Sequence, residues 1–593
     1  MFVPEVLQSV SDQIADHPRI RCTATWSSDS EGRWSLLFVA ILSGASTEFI
    51  SAETSWYVVF VPWTKSVTVY PAMIGGISAT FQHQSFNREG NGSQPWRLGN
   101  PCLDRPAGVF GRASWNGQPD TIDEKIVWYL ERLLIWIDAA ATGELSIEGE
   151  PLELPAGPRQ TGFPPVVGFV GADDDLAFWL GRTNEWGWVD LTKLPGAKLS
   201  YAMTTFRDRQ LAPIRKSVWG RAIAEAAPAK TDLWIALNDL PVLAPWELPR
   251  TWADLSSHLD SQGVQLADVF EVAGADRRQR KDDRGTVTLF LGFPLAELIG
   301  EAPSKYHWIA VGSIELSDRK TKKNGFRANE QTRRFLDRTR PTANSSLTWL
   351  RTVNWEPDQI RTRSGFGTGT ASQRVLIIGA GSLGGAVAEN LVRMGVTRMG
   401  ILDLDIVDVG NLTRHVLGMD AVGHGKAVAL ANALSLIMPD AEVTGIVASF
   451  PPGTDELAEK LRSFDVIIDC TGSDAVLDAM AEFDWGGEKI FVSLAMTWRA
   501  EGLLVFTASE AAFPAIDAKQ SFNEMNVPPT DFGDARMEGG IGCWHPVFPA
   551  TAADVRLWSS VATTTILEAI RSPKRRCQYF RQRFDGTIEK LNG

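Results

Sequence analysis

Paired cysteines are missing from this 593-residue chain: Cys22, Cys102, Cys470, Cys543 and Cys577 lie far apart, and no Cys-x-x-Cys occurs. That excludes the usual zinc ribbon and a disulfide framework, so no structural zinc is expected. No apolar run approaches the ~20 residues that cross a bilayer. The first residues, MFVPEVLQSVSDQIADHPRIRC, are amphipathic and acidic, without the apolar core of a signal peptide. The expectation is a cytoplasmic protein, in which lone cysteines are either inert core residues or nucleophiles. Basic charge is also short: 58 Lys and Arg against 71 Asp and Glu leave a net charge of -13. Direct binding of nucleic acid is therefore disfavoured, because phosphate contacts need a basic surface. There is no G-x-x-x-x-G-K-[ST] phosphate loop and no internal repeat.

What is abundant is tryptophan, with 22 residues, most of them before residue 375. Buried aromatic packing accounts for most of these, and a protein-binding face is the other use of such residues. The length calls for three or four domains. Residues 1–155 read as an opening helix, strands in RWSLLFVAIL, SWYVVFVPW and SVTVYPA, a turn-rich stretch holding Cys102, and an amphipathic helix. That order makes an α+β domain. EGEPLELPAGPRQTGFPP has the Pro/Gly punctuation of a linker. Residues 156–365 form a mixed α/β middle domain with strands in TDLWIALN, VTLFLGFPL and YHWIAVGSIEL. Its charged tracts, DRRQRKDDRG and SDRKTKKNGFRANEQTRRFLDRTR, read as exposed loops or solvated helix faces, with a basic docking surface as the sharper alternative.

Residues 366–593 alternate short apolar strands (RVLIIGA, MGILDLD, EVTGIVAS, DVIIDC, KIFVSLAM) with helices starting near Leu383, Lys426, Asp455 and Asp474. This pattern predicts an α/β, doubly wound, mainly parallel Rossmann-like sheet with its ligand at the carboxyl ends of the strands. A long aperiodic loop, about 509–548, precedes a helix from Thr551 to about Ile570 and a hairpin turning at Asp585-Gly586.

Gly379, Gly381 and Gly384 in GAGSLG allow a tight turn, a close backbone approach to phosphate and a helix N-terminus facing the anion. Asp403 ends the next strand, where a carboxylate can accept ribose hydroxyls. These features fit NAD, FAD and ATP equally. The residues that follow favour ATP: Asp405, Asn411 and Arg414 lie beyond the strand, and Lys426 opens the next helix. Fixed cations suit attack of a carboxylate on an α-phosphate, which loads charge onto phosphorus and the departing pyrophosphate, with a carboxylate holding magnesium.

The set GAGSLG, DLD, NLTR, Lys426 and DCT resembles the ThiF/MoeB superfamily, which includes the adenylation domains of ubiquitin-activating enzymes. The resemblance implies ATP and Mg2+, with Asp403 on the ribose and Asn411, Arg414 and Lys426 on the phosphates. Gly472 stands where the family has its magnesium-positioning aspartate, so Asp469 or Asp474 takes that part, with Asp474 as the metal ligand. The family's zinc-binding CxxC pairs are absent, which points away from its sulfur-carrier branch.

An acyl adenylate is an electrophile that a thiolate can capture as a thioester. Cys543, in MEGGIGCWHP, occupies the long loop where activating enzymes carry their acceptor cysteine, with His545 as a candidate base. Cys102, in WRLGNPCLDRP, lies in a segment resembling ubiquitin-conjugating enzymes, although HQSFN replaces His-Pro-Asn and leaves Asn87 open as the oxyanion group. Cys470 reads as structural, and Cys22 and Cys577 carry no feature that marks a nucleophile. A conjugating-type domain, a middle domain and an activating domain in one chain resemble the fused enzymes of bacterial CBASS antiviral operons. By that resemblance the substrate is the C-terminal glycine of a cGAS-like nucleotidyltransferase, the acceptor is a lysine amine, and the enzyme is a homodimer. An NAD- or FAD-dependent oxidoreductase and a nucleotide-sensing scaffold are the alternatives.

Overall fold

The computed structural model describes residues 3–592 apart from 91, 93, 104–117, 159–164, 173, 198–199, 285, 322–328, 363–371, 526–549 and 584. Three sheets organise it, one in each third of the chain. In the first, strands Trp34–Ile41, Glu53–Val61 and Ser66–Pro71 form an antiparallel meander, with Ile20–Cys22 and Ser27–Ser28 on its edge. Trp34, Leu36 and Phe38 alternate with less buried neighbours, so the sheet is apolar on one face. Helices Glu5–Ile14 and Ile122–Thr142 contribute to the same core. The second helix buries Ile126, Leu130, Leu133 and Ile137, a helical spacing, and stops at Gly143 with φ 80.

The middle sheet runs Val166–Phe169, Trp349–Asn354, Lys305–Glu315, Thr286–Leu295, Lys230–Ala236, Trp186–Lys193, Tyr201–Arg207, Pro213–Lys216. Because Val166–Phe169 also pairs with Tyr201–Arg207, seven of these strands close into a ring. Closure removes most of the free edges such a sheet would otherwise expose. One face holds an aromatic cluster in which Trp179 contacts Phe206, Trp234, Tyr306 and Trp308. The other face packs on helices Trp252–Ser261 and Leu266–Gln279. Most of the tryptophans therefore do core work, as their number suggested.

The second charged tract carries the expected solvated helix face, with Arg334 and Arg338 about half exposed, whereas the first tract departs from that expectation. Arg277 and Arg278 are buried, and Arg278 pairs with Asp337 and Glu330 at 2.6 Å each. Arg284 binds Asp282 at 2.6 Å, and Arg319 binds Asp283. Among the described residues the two tracts fold onto one another, and Arg278, Arg284 and Arg319 are neutralised by carboxylates of the tracts themselves. Charge counting missed this because Arg278 and Arg319 find their carboxylates in the other tract, more than 30 residues away in sequence.

In the last sheet the order is Glu442–Ile446, Arg398–Leu402, Val375–Ile378, Val466–Asp469, Lys489–Met496, Gly502–Glu510, Arg576–Gln582, Ile588–Asn592. The first five strands are parallel and the last three antiparallel. Residues of each central strand alternate between two cores: Val375 and Ile377 face one, Leu376 and Ile378 the other. Helices Ser382–Arg393, Lys426–Ser435 and Ala552–Arg571 cover the first face. Helices Asp455–Arg462, Asp474–Glu482 and Ala515–Met525 cover the second. Strand order reverses between Val375–Ile378 and Val466–Asp469, so a crevice must open at their carboxyl ends.

The C-terminal expectations hold, with one correction. Thr551 caps its helix through a reciprocal box with Asp554, and the hairpin turns at Gly586 with φ 85. The stretch expected to be loop instead contains the helix Ala515–Met525. Only Ala515 and Ala518 are buried in that helix, so its apolar stripe is too thin to read from sequence.

Candidate active site

The crevice is a cavity of about 610 Å³, and Gly381, Asn411, Arg414, Lys426, Thr471 and Asp474 are among the residues lining it. Its floor is the glycine turn. Gly379 has φ +94 and donates its N–H to Leu402 O at 2.9 Å. A Cβ on Gly384 would lie 2.0 Å from the Gly379 carbonyl oxygen, so only glycine lets the helix sit this close to the turn. Gly381 is the N-cap of helix Ser382–Arg393, and a Cβ there would meet nothing within 4 Å. Open space beside a helix N-terminus is a place for an anion.

This contrast gives a first prediction. Gly384→Ala should cost about 1–3 kcal/mol or more, because backbone must move, and should lower the melting temperature measurably. Gly381→Ala should leave thermal stability within ~0.5 kcal/mol while weakening ATP binding, as read by calorimetry.

The turn is clamped from both sides. Asp403 Oδ2 accepts Ala380 N–H at 2.6 Å and its Oδ1 accepts Asp405 N–H at 2.8 Å. His415 Nε2 lies 2.8 Å from Ala380 O, while its Nδ1 accepts Leu417 N–H at 3.1 Å. The ring must therefore be the Nε2–H tautomer that donates to Ala380 O. Burial holds the His415 pKa down, with Lys426 nearby acting in the same direction, so it serves as a neutral donor. His415 was legible only as the residue after NLTR; nothing in the sequence marked its part in holding the turn.

Among the residues expected to bind nucleotide, Gly381, Asn411, Arg414, Lys426, Asp469 and Asp474 meet in this one cavity. Gly379, Gly384, Asp403 and Asp405 shape its walls from behind. Lys426 Nζ is held by Asp405 Oδ2 at 2.9 Å, and Lys426 N–H donates to Asp405 O at 2.8 Å. Asn411 Oδ1 accepts the N–H of Asp408, which fixes the short helix Val409–Thr413 that precedes Arg414.

The two aspartates near DCTGSD separate clearly. Asp469 is buried, and it accepts from Thr471 N–H, Thr471 Oγ1–H at 2.6 Å and Ser493 Oγ–H at 2.8 Å. Burial raises its pKa despite these bonds. Its part is to fix Thr471 at the cavity edge, and it is poorly placed to bind a cation. Asp474, the first residue of its helix, is exposed at the cavity wall. Among the described residues no group of three or more His, Cys, Asp or Glu is placed to hold a metal.

The cysteines divide as follows. Burial pushes the Cys470 thiol well above its ordinary range and Cys577 up to about 11, so both are poor nucleophiles. Cys102 is exposed and lines a second cleft of about 730 Å³, and its N–H donates to His83 O at 2.6 Å. Asn87 is fully buried: Nδ2 donates to Ile77 O and Ala79 O, both at 2.9 Å, and Oδ1 accepts Arg97 Nε–H at 3.0 Å. Its amide is fully engaged in tying the loop together, which closes the question of an oxyanion role. Arg250 and Trp246 of the middle third brace the same loop, Trp246 N–H donating to Thr80 O at 3.0 Å and Arg250 lying 5.1 Å from the Phe86 ring centre. Cys543 and His545 fall outside the described residues. No helix among the described residues is long and apolar enough to cross a membrane.

Comparison with known proteins gives the family. Residues 368–482 match the model of the ThiF family, and residues 143–355 match that of the Cap2 central linker domain. The ATP-dependent ubiquitin transferase-like protein Cap2 of Enterobacter hormaechei subsp. hoffmannii is 45% identical over 592 residues, covering 99% of this chain and 98% of that protein. The molybdopterin-synthase adenylyltransferase of Escherichia coli is 36% identical over 136 residues, 23% of this chain and 53% of its own length. A solved structure of E. coli MccB with AMPCPP and MccA overlaps 40% of this chain and 66% of its own, at 14% identity and a TM-score of 0.28, which is too low to carry an argument. The oxidoreductase and scaffold alternatives are set aside by these relatives. The chain belongs to the family of ATP-dependent ubiquitin transferase-like Cap2 proteins and is an ATP-using, adenylating enzyme of that kind.

Proposed function

We propose that the chain activates the C-terminal glycine carboxylate of a partner protein as an acyl adenylate, relays it as a thioester through Cys543 and then Cys102, and delivers it to a lysine amine. The observation that carries this reading is the convergence of Arg414, Lys426, Asn411 and the open N-terminus at Gly381 on one cavity. Two cations and a helix N-terminus suit a triphosphate that must part with pyrophosphate. Asp474 is the residue here that could help hold magnesium, together with the phosphates themselves; the ion would offset charge on the leaving group. The partner fits a cGAS-like nucleotidyltransferase, and the setting a CBASS defence system in the bacterial cytoplasm, by resemblance to fused activating and conjugating enzymes.

A homodimer is part of this proposal. Leu404, Ile406 and Val409, each about 60% exposed, and Met419 at 82%, leave apolar surface beside the cavity that a second copy would cover.

The test is isotope exchange between pyrophosphate and ATP, with a nucleotidyltransferase ending in glycine as the carboxylate donor. Exchange is expected with the free carboxylate and not with the same protein ending in a carboxamide. Equal exchange in both cases would sink the reading.

A further inference from the structure

The Cys102 cleft contains a histidine and carboxylate contact that the loss of His-Pro-Asn leaves unexplained. His83 Nδ1 lies 3.1 Å from Glu153 Oε2, and the same oxygen accepts His83 N–H at 3.0 Å. Glu153 is 70 positions away in sequence and is carried into place by the segment after helix Ile122–Thr142. Trp246 fixes that segment, its Nε1–H donating to Glu153 O at 2.9 Å. His83 adopts φ +54, in the left-handed region a non-glycine residue rarely visits. Such an outlier, held by surrounding bonds, is a common mark of a working site. Its carbonyl accepts the Cys102 N–H, so histidine and cysteine backbones are locked together, and both side chains line one cleft with Glu153. Among the described residues no group bonds His83 Nε2.

We infer that His83, oriented by Glu153, is the general base for the last step: it takes the proton of the acceptor amine as the Cys102 thioester is discharged. This rests on the proposed reading of Cys102 as the second thioester cysteine. A carboxylate beside Nδ1 keeps the proton there and leaves the Nε2 lone pair to accept another. The amine nitrogen forms a bond to the thioester carbonyl carbon, the C–S bond breaks, and its electron pair returns to Cys102 Sγ. Two protons leave the nitrogen: the ammonium proton passes to Nε2 before the attack and on to solvent, and the N–H proton released as the amide forms passes to the thiolate or to solvent. Lysine is an ammonium ion at neutral pH, so its attack depends on such a base. A hydroxylamine nitrogen is mostly uncharged at neutral pH and does not.

The experiment follows single-turnover discharge of full-length chain whose Cys102 has been loaded from ATP and a nucleotidyltransferase ending in glycine. His83→Gln is expected to slow discharge to free lysine by about 10²-fold. Glu153→Gln should slow it roughly 10-fold. Loading of Cys102 and discharge to hydroxylamine should stay at the wild-type rate in both variants. Equal slowing with lysine and hydroxylamine, or unchanged discharge to lysine, overturns the assignment while leaving the relay intact. No thioester on Cys102 of the wild-type chain overturns the relay itself, and this role with it.

Discussion

Cys543→Ala is expected to abolish every ATP-dependent thioester on the chain, while Cys102→Ala keeps the first thioester and abolishes the amide product. The asymmetry follows from the order of the chemistry. On the proposed reading an acyl adenylate forms in the Gly381 cavity, and the first thiolate to capture it must reach that cavity. Cys470 lines the cavity and is half-buried, with its thiol pushed well above the ordinary range by burial, so it is a poor nucleophile to stand in for Cys543. Cys102 lies in a separate cleft whose lining shares no residue with the nucleotide cavity, so it depends on transfer from another thioester. Thioester exchange is near balance, and holding the two thiols on one chain raises the effective concentration of one for the other to about the mM range. Adenylation itself should survive both substitutions, since on the proposed reading neither thiol takes part in that step. Non-reducing gels, with and without a reducing agent, read the two thioesters; conjugation that persists in either variant would contradict the relay.

Lys426→Ala and Arg414→Ala are each expected to lower pyrophosphate exchange by about 10²–10³-fold, the usual cost of removing one preorganised charge from a transition state. Lys426 is mostly buried at 13% side-chain exposure and is aimed by Asp405, which is itself 71% exposed. Asp405→Asn should therefore cost less, under ~10-fold, because it keeps a hydrogen-bond acceptor and removes only an exposed charge. The double variant of Lys426 and Arg414 should fall short of the product of the single effects, since on the proposed reading both act on one phosphate chain. Thermal stability of these variants should stay near wild type, which separates loss of chemistry from loss of fold. Exchange that survives Lys426→Ala at the wild-type rate would remove the cation from the mechanism.

Much of the C-terminal architecture could be read directly because it rests on local rules. Five parallel strands announced themselves as short apolar runs, the helix from Thr551 was legible from its start, and the glycine spacing located the tight turn at Gly379. The departures come from contacts between distant segments. Nothing local reveals that Asp337 and Glu330 neutralise Arg278, or that Val166–Phe169 closes the middle ring by pairing with Tyr201–Arg207. The same limit applies to the site. The residue types around Arg414 and Lys426 pointed to phosphate chemistry, but the choice between Asp469 and Asp474 needed burial and hydrogen bonds. His83 was visible as a fragment of a missing motif, whereas Glu153 lay within an apparent linker. Only the folded chain brings that carboxylate to the histidine.

The central claim is that ATP drives covalent capture of a C-terminal carboxylate by this chain. The direct measurement is mass spectrometry of the wild-type enzyme mixed with Mg-ATP and a nucleotidyltransferase ending in glycine, resolved on a non-reducing gel and mapped by peptide. The account expects a thiol-sensitive, ATP-dependent adduct on Cys543 and a second on Cys102. An enzyme that forms no adduct while binding NAD tightly and ignoring Mg-ATP would contradict it.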